Sequence, residues 1–150
     1  MLGRLMLAVE RILALAFIFA VCLNFANVVG RYGFGYSISG ADEIQIYIMV
    51  WMAFLGAAVV AWRREHLRMD VLVKMLPSKG QRILEMAERL LLLVLAGFTL
   101  VQSWRYTAQM AALGRTSDIG DIPMWIPHGG VALGFALIAL IALFQLFRPR

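Results

Sequence analysis

Long apolar runs separated by short polar segments dominate this chain. Three of four runs come close to the length of roughly 20 residues that an α-helix needs to cross a bilayer, and the third run in chain order is shorter. The third is the least apolar, because its charge-free part extends only from Leu90 to Trp104 and the helix has to continue into charged residues at both ends. The pattern predicts an all-α membrane protein with one integral membrane domain over residues 1–150. The predicted spans are residues 12–29, 44–62, 84–106 and 128–147.

A shorter amphipathic segment follows the second apolar run and ends at Pro77. Apolar residues recur in it at helical spacing, and charged residues occupy the other positions. This pattern is typical of a helix that lies in the headgroup layer instead of crossing the bilayer. The basic residues around it favour contact with phospholipid. The residues that we assign to this surface helix are His66, Arg68, Met69, Leu72, Val73 and Leu76.

The distribution of charge predicts how the chain is oriented in the membrane. The net charge of +5 comes from Lys and Arg at the ends of the apolar runs, which is where such residues orient helices, so we do not expect nucleic acid as a partner. With four spans, both termini and the segment after the second run share one side, which then carries eleven Lys and Arg residues. The other side has only Arg31, Arg105 and Arg115. The positive-inside rule places both termini in the cytoplasm.

Small and polar residues inside the runs predict where helices pack against each other. Small residues let two backbones approach closely in lipid, and asparagine in hydrocarbon needs a hydrogen-bond partner. Three alanines recur every four residues in the second run, and the fourth run contains a Gly-x-x-x-Gly pair. The predicted packing residues are Asn24, Asn27, Ala53, Gly56, Ala57, Ala61, Gly130 and Gly134.

Arg31, Asp42 and Glu43 form a charged group between the first two runs. One interpretation is interfacial anchoring and capping, because acidic residues in the first turn of a helix interact favourably with its dipole. The other is a docking surface for a soluble partner, because complementary charge steers such encounters. The sequence leaves both interpretations open.

Residues for catalysis, cofactors or metals do not form a recognisable constellation. His66 and His128 fall on opposite faces in the predicted topology, and Cys22 is the single cysteine. We therefore expect no enzymatic activity, no cofactor and no metal. A small homo-oligomeric four-helix exporter and a membrane anchor subunit of a redox enzyme remain as alternatives. The exporter is disfavoured, because proton or ion coupling usually needs an ionisable residue deep in the membrane and the first run has none.

Several short motifs follow one another along nearly the whole chain. They are residues 27–32, Asp42-Glu43, Trp51, residues 54–57, residues 66–70, Leu76-Pro77, Ser117 and residues 122–125. This ordered set resembles the small membrane subunit (the DctQ type) of tripartite ATP-independent periplasmic (TRAP) transporters. The family often has paired glutamates where Asp42 and Glu43 stand, and a further proline early in the fourth helix where Gly129 and Gly130 stand.

The resemblance implies a function in the bacterial inner membrane. In this family the small subunit binds a large membrane subunit that carries the substrate and sodium sites. A periplasmic substrate-binding protein delivers an organic acid to the complex. The resemblance thus implies a scaffold subunit that binds no substrate itself. Its outer face, with Arg31, Asp42 and Glu43, would support docking of the periplasmic protein.

Overall fold

The structure, a computed structural model, describes residues 2–63 and 77–147. Over these residues the fold is helical, apart from one isolated β-bridge between Thr116 and Pro123. This confirms the predicted all-α class. The four helices are α1 (Leu2–Gly33), α2 (Ala41–Arg63), α3 (Ser78–Ala112) and α4 (Trp125–Phe147).

Three of these helices, α1, α2 and α4, are long and apolar enough to cross a membrane. Helix α3 has 35 residues but carries charged side chains on both sides of its apolar stretch, and it does not reach the same apolar character. The fourth span therefore stays a prediction. So does the surface helix, because its residues, His66, Arg68, Met69, Leu72, Val73 and Leu76, lie outside the described residues.

Helix α1 begins well before the apolar run that predicts it. It passes through Arg4, Glu10 and Arg11, which are residues with good helix propensity, so charge alone does not end the helix. The carboxylate of Glu10 accepts from Arg63 at the end of α2, with 2.6 Å between the Arg63 nitrogen and the Glu10 oxygen. This ion pair joins the beginning of α1 to the end of α2.

The helices pack as a row instead of a closed bundle. Extensive contacts join α1 to α2, α2 to α4, and α4 to α3. Helices α2 and α4 thus form the centre of the row. The core is small and lies toward the Arg63 end of α2, and only 6% of the apolar window in α1 is buried. Its buried residues are Met6, Ala58, Val59, Ala61, Ala96, Ile138 and Ile141.

Helices α2 and α4 approach each other closely, and glycine makes this possible. A Cβ atom at Gly134 would lie 2.5 Å from the Cβ of Phe54, and one at Gly130 would lie 2.9 Å from the Trp51 ring. Neither distance leaves room for a side chain. The Trp51 Nε1 donates to the carbonyl oxygen of Ile126 at 3.2 Å and fixes the same contact. The Gly-x-x-x-Gly pair of α4 therefore packs inside the chain, against α2.

Candidate functional site

A hydrogen-bonded group of polar residues lies at the end of the row where α2 begins. The chain leaves α1 at Gly33 and turns into α2 at Gly40, which has a positive φ of 79°. The Gly40 carbonyl oxygen accepts from Ile44 N at 3.0 Å and begins the helical hydrogen bonding of α2. This turn places the last part of α1 beside the acidic first turn of α2.

Asn27 holds the α1–α2 turn from inside. Its side chain is only 5% exposed. The Nδ2 group donates to Asp42 Oδ1 at 3.3 Å, and Oδ1 accepts from Ile38 N at 3.0 Å. One side chain thus satisfies a backbone donor of the turn and a carboxylate of the next helix. Asn24, nearer the middle of α1, is exposed and donates to Gln45 Oε1 at 3.3 Å.

Arg31 and Asp42 form an ion pair that solvent can reach. Their charged groups are 3.7 Å apart, and the side chains are 53% and 71% exposed. Exposed pairs of this kind contribute about 0–1 kcal/mol to stability. The pair is therefore free to contact another molecule at small cost to the fold.

Glu43 is bonded to the loop between α3 and α4. Its carboxylate accepts from Ser117 Oγ at 2.7 Å, from Ile119 N at 3.2 Å and from Gly120 N at 2.9 Å. Ser117 Oγ in turn accepts from Ile122 N at 3.1 Å. We call Glu43, Ser117, Ile119 and Gly120 the Glu43 clasp. Hydrogen bonds to an ionised carboxylate are among the strong ones, so the clasp ties the loop firmly to α2.

Glycine is needed where the clasp brings two backbones together. A Cβ atom at Gly40 would lie 3.3 Å from the Cα of Gly120, and one at Gly120 would lie 2.9 Å from Glu43 Oε2. The loop also closes on itself, because Ser117 N donates to the Ile122 carbonyl oxygen at 2.9 Å. Asp121 adopts the left-handed region, with a φ of 49°. The α1–α2 turn and the α3–α4 loop therefore form one bonded surface.

The structure separates the predicted packing residues into two groups. Gly130, Gly134 and Ala61 lie inside the row, and Asn27 is buried in the turn. Ala53 and Ala57 are exposed, and a Cβ atom at Gly56 would meet nothing within 4 Å. The exposed residues thus form a face of α2 that residues 2–63 and 77–147 leave uncovered.

Two cavities lie between the helices. An apolar groove of about 320 Å³ runs along α2 between α1 and the start of α4, lined by residues such as Ala16, Ile48 and Met52. A second cavity of about 410 Å³ lies between α3 and α4, and most of its lining surface is also apolar. There the ring of His128 meets Tyr106 edge-on at 4.7 Å between centroids. The other residues that line this second cavity are Gln102, Ser103 and Val131.

Residues 2–63 and 77–147 contain no candidate metal site. No group of three or more His, Cys, Asp or Glu side chains in that part of the chain is placed to hold an ion. Cys22 is a free thiol on the exposed side of α1.

The role of Ser117 and Gly120 is not predicted by their local sequence. Ser117 is 74 positions away from its partner Glu43, and neither residue type shows by itself which distant group it contacts. The sequence holds two signals: the turn-forming residues Gly114 and Gly120 indicate a loop but not its bonding, and Ser117 belongs to the motifs that match the family.

Comparison with known proteins decides the family. The family of tripartite ATP-independent periplasmic transporters, DctQ component, matches residues 20–150 of this chain. The chain belongs to the DctQ family. A relative in Haemophilus influenzae, named as a TRAP transporter small permease protein, is 33% identical over 124 residues, which cover 83% of this chain and 76% of the relative.

Two further relatives of this DctQ-family chain differ in what their names state. The ectoine TRAP transporter small permease protein TeaB of Halomonas elongata is 28% identical over 133 residues, covering 89% of this chain and 69% of TeaB. The isethionate TRAP transporter permease protein DctMQ of Oleidesulfovibrio alaskensis is 26% identical over 99 residues. That match covers 66% of this chain but only 16% of the relative. The predicted resemblance to small TRAP subunits is confirmed.

Proposed function

We propose that this chain is the small scaffold subunit of a sodium-coupled TRAP transporter that takes up an organic acid. It binds a large membrane subunit and supports docking of a periplasmic substrate-binding protein. The observation that carries this proposal is the family match over residues 20–150. Sodium coupling and the organic-acid class are carried over from the family resemblance alone.

The uncovered face of α2 is the proposed contact with the large subunit. An apolar stripe runs along it, and Met49, for example, is 63% exposed. Small residues within such a stripe let a second helix approach closely. In the relative DctMQ, the matched region is a small part of a longer permease, which supports joint action with a larger membrane part. The stripe consists of Ile46, Met49, Ala53, Gly56, Ala57 and Val60.

Substrate binding is assigned to other subunits. An organic acid needs positive or hydrogen-bond-donating groups near mid-membrane, and the groove along α2 is lined almost entirely by apolar side chains. Within the described residues, hydrogen-bond donors line two other cavities: His128 and Gln102 between α3 and α4, and Arg4 and Arg11 near the beginning of α1. A His128→Ala variant that changed substrate preference would therefore contradict the scaffold role.

We further propose four spans in the bacterial inner membrane, with both termini in the cytoplasm. Lys and Arg favour this orientation, because they are concentrated on the side of the termini and of the segment after α2. That segment, with Arg68, would contact phospholipid. The opposite end, with Arg31 and Asp42, then faces the periplasm and is exposed for docking.

Affinity purification of the tagged chain from mild detergent tests the assignment. We expect a large multi-span permease to co-purify in a fixed ratio. A purified homo-oligomer without a larger partner would support the exporter instead. Haem absorbance in the purified complex would support the redox anchor.

A further inference from the structure

The Glu43 clasp determines how the α3–α4 loop presents its apolar tip. The backbone groups Ile119 N and Gly120 N both donate to the carboxylate, so the backbone at this point faces α2. The side chain of Ile119 is 63% exposed. An aliphatic side chain is thus held outward at the tip of a loop whose backbone is bonded.

We propose that Ile119 is the contact of this loop with the soluble periplasmic substrate-binding protein, and that Glu43 and Ser117 are positioning residues that act through the loop. The proposal rests on the proposed function, and it names the residue that docking uses. It also gives Glu43 a different role from Asp42. The Asp42 carboxylate is exposed for contact, whereas Glu43 is occupied by three donors from the loop.

The surroundings of Ile119 favour a soluble protein over lipid. Asp118 and Asp121 lie on either side of the tip and are exposed. Carboxylates are costly to place in hydrocarbon, so this tip does not suit insertion into the bilayer. An apolar centre with a charged rim is the usual arrangement of a protein interface. The acidic rim is complementary to a partner whose own apolar patch has basic residues around it.

Rigidity of the loop is what links Glu43 to docking. Met124 N donates to the Arg115 carbonyl oxygen at 2.9 Å, and Ser117 N donates to that of Ile122 at the same distance. These bonds close the base of the loop, and the clasp fixes its tip to α2. A preordered loop binds without the entropic cost of becoming ordered. Loss of the clasp therefore weakens docking even though Glu43 itself does not touch the partner.

Photo-crosslinking in cells that make the complex tests this inference. The probe is p-benzoylphenylalanine in place of Ile119, and the matched control is the same probe in place of Leu113. Leu113 is 62% exposed and precedes the same loop at the end of α3. We expect the probe at position 119 to give an adduct with a periplasmic substrate-binding protein, identified by mass spectrometry among proteins that osmotic shock releases. The probe at position 113 gives no such adduct.

Variants of the Glu43 clasp test whether Glu43 and Ser117 position the loop, and they distinguish this role from a general loss of structure. Glu43→Gln removes the negative charge and replaces one acceptor oxygen by an NH2 donor, so the side chain can no longer accept from all three loop donors, and the adduct falls severalfold. Ser117→Ala also reduces it, and Ser117→Thr, which keeps the hydroxyl, restores it. Glu10→Gln makes the same chemical change at the other end of the row and leaves the adduct unchanged. The large subunit co-purifies with every variant.

Three results would overturn the inference while the large subunit still co-purifies. They are an adduct of position 119 with the large subunit or with lipid alone, equal adducts at positions 113 and 119, and an adduct that Glu43→Gln does not reduce. If the unmodified chain brings down no large subunit, the proposed function itself fails, and this inference fails with it. That outcome is recognised in the purification step, before any crosslinking.

Discussion

Single polar and glycine residues define the contacts between the helices of this protein. Asn27 bonds both to the α1–α2 turn and to Asp42, and Glu43 bonds to a loop far away in sequence. Gly134 permits the close contact of α4 with Phe54. The buried apolar core is small, so such specific contacts have a large share in fixing the arrangement.

Asn27 provides a first test at this scale. Asn27→Leu leaves the backbone donor of Ile38 without its partner in the turn, and an unsatisfied buried donor costs about 1–3 kcal/mol. We expect the free energy of unfolding in mixed micelles to fall by that amount. Asn24→Leu is the control, because Asn24 is exposed and its single bond to Gln45 contributes less. Equal losses for both variants would contradict the role of Asn27 in the turn.

The glycines of α2 and α4 provide a second test. Gly134→Ala forces a Cβ atom to within 2.5 Å of Phe54, and overpacking of this kind costs about 1–3 kcal/mol. Gly56→Ala adds a Cβ atom that meets none of the described residues within 4 Å, so it should leave the isolated subunit at least as stable. Thermal unfolding of the purified subunit measures both. A Gly134→Ala variant as stable as the unmodified chain would show that α2 and α4 are not in close contact there.

Residue types predict which positions contact another helix, but they do not predict the partner of each position. Asparagine in a membrane helix and glycine at four-residue spacing indicate contact with another helix, because of what those side chains need or lack. The spacing of Ala53 and Ala57 defines a face but not what covers that face. The partner of Glu43 could not be predicted, because the clasp depends on how the α3–α4 loop folds back onto α2.

The ends of the helices do not coincide with the ends of the apolar runs. An apolar run predicts that a helix exists. Both α1 and α3, however, extend beyond their apolar runs through charged residues. Arg, Glu and Gln favour helix, so a helix ends where a turn begins and not where hydropathy falls. The predicted number of helices in the described part is therefore met, while the lengths differ.

The ion pair between Glu10 and Arg63 is the test at the scale of elements. Glu10→Arg places like charges together where α1 begins and α2 ends, and the double variant with Arg63→Glu restores opposite charges. We expect the single variant to lose up to about 1 kcal/mol and the charge swap to regain part of it. Chemical denaturation of Glu10→Arg, of Arg63→Glu and of the double variant, each against the unmodified chain, gives the coupling energy of the pair. No recovery in the double variant would indicate that the pair does not join α1 to α2.

At the largest scale, the described residues form a row of helices, and the Glu43 clasp joins a loop to the end where α2 begins. Such a row has two broad faces, and the uncovered stripe of α2 lies on one of them. A scaffold subunit needs a surface for a partner more than it needs a closed core of its own. The row order could not be predicted from the sequence, because periodicity shows which positions share a face and not which helix each face meets.

Reporter fusions test the proposed topology of the whole chain. Fusions after Arg31, Lys79, Gly120 and Arg150 should alternate in location, with the second and fourth in the cytoplasm, because basic residues are concentrated on that side. Alkaline phosphatase and green fluorescent protein give opposite signals for each site. A periplasmic signal after Lys79 would be incompatible with four spans in this orientation.

The most direct test of the scaffold role compares how much large subunit co-purifies with two leucine variants. Ala57→Leu adds bulk to the uncovered stripe of α2, and Ala26→Leu adds the same bulk at an exposed position of α1. The account predicts that Ala57→Leu loses most of the large subunit and the transport activity together, that any complex that survives keeps its apparent substrate affinity, and that Ala26→Leu keeps both assembly and transport. Full assembly of the Ala57→Leu variant with an altered substrate preference would contradict the account and place the substrate site in this chain.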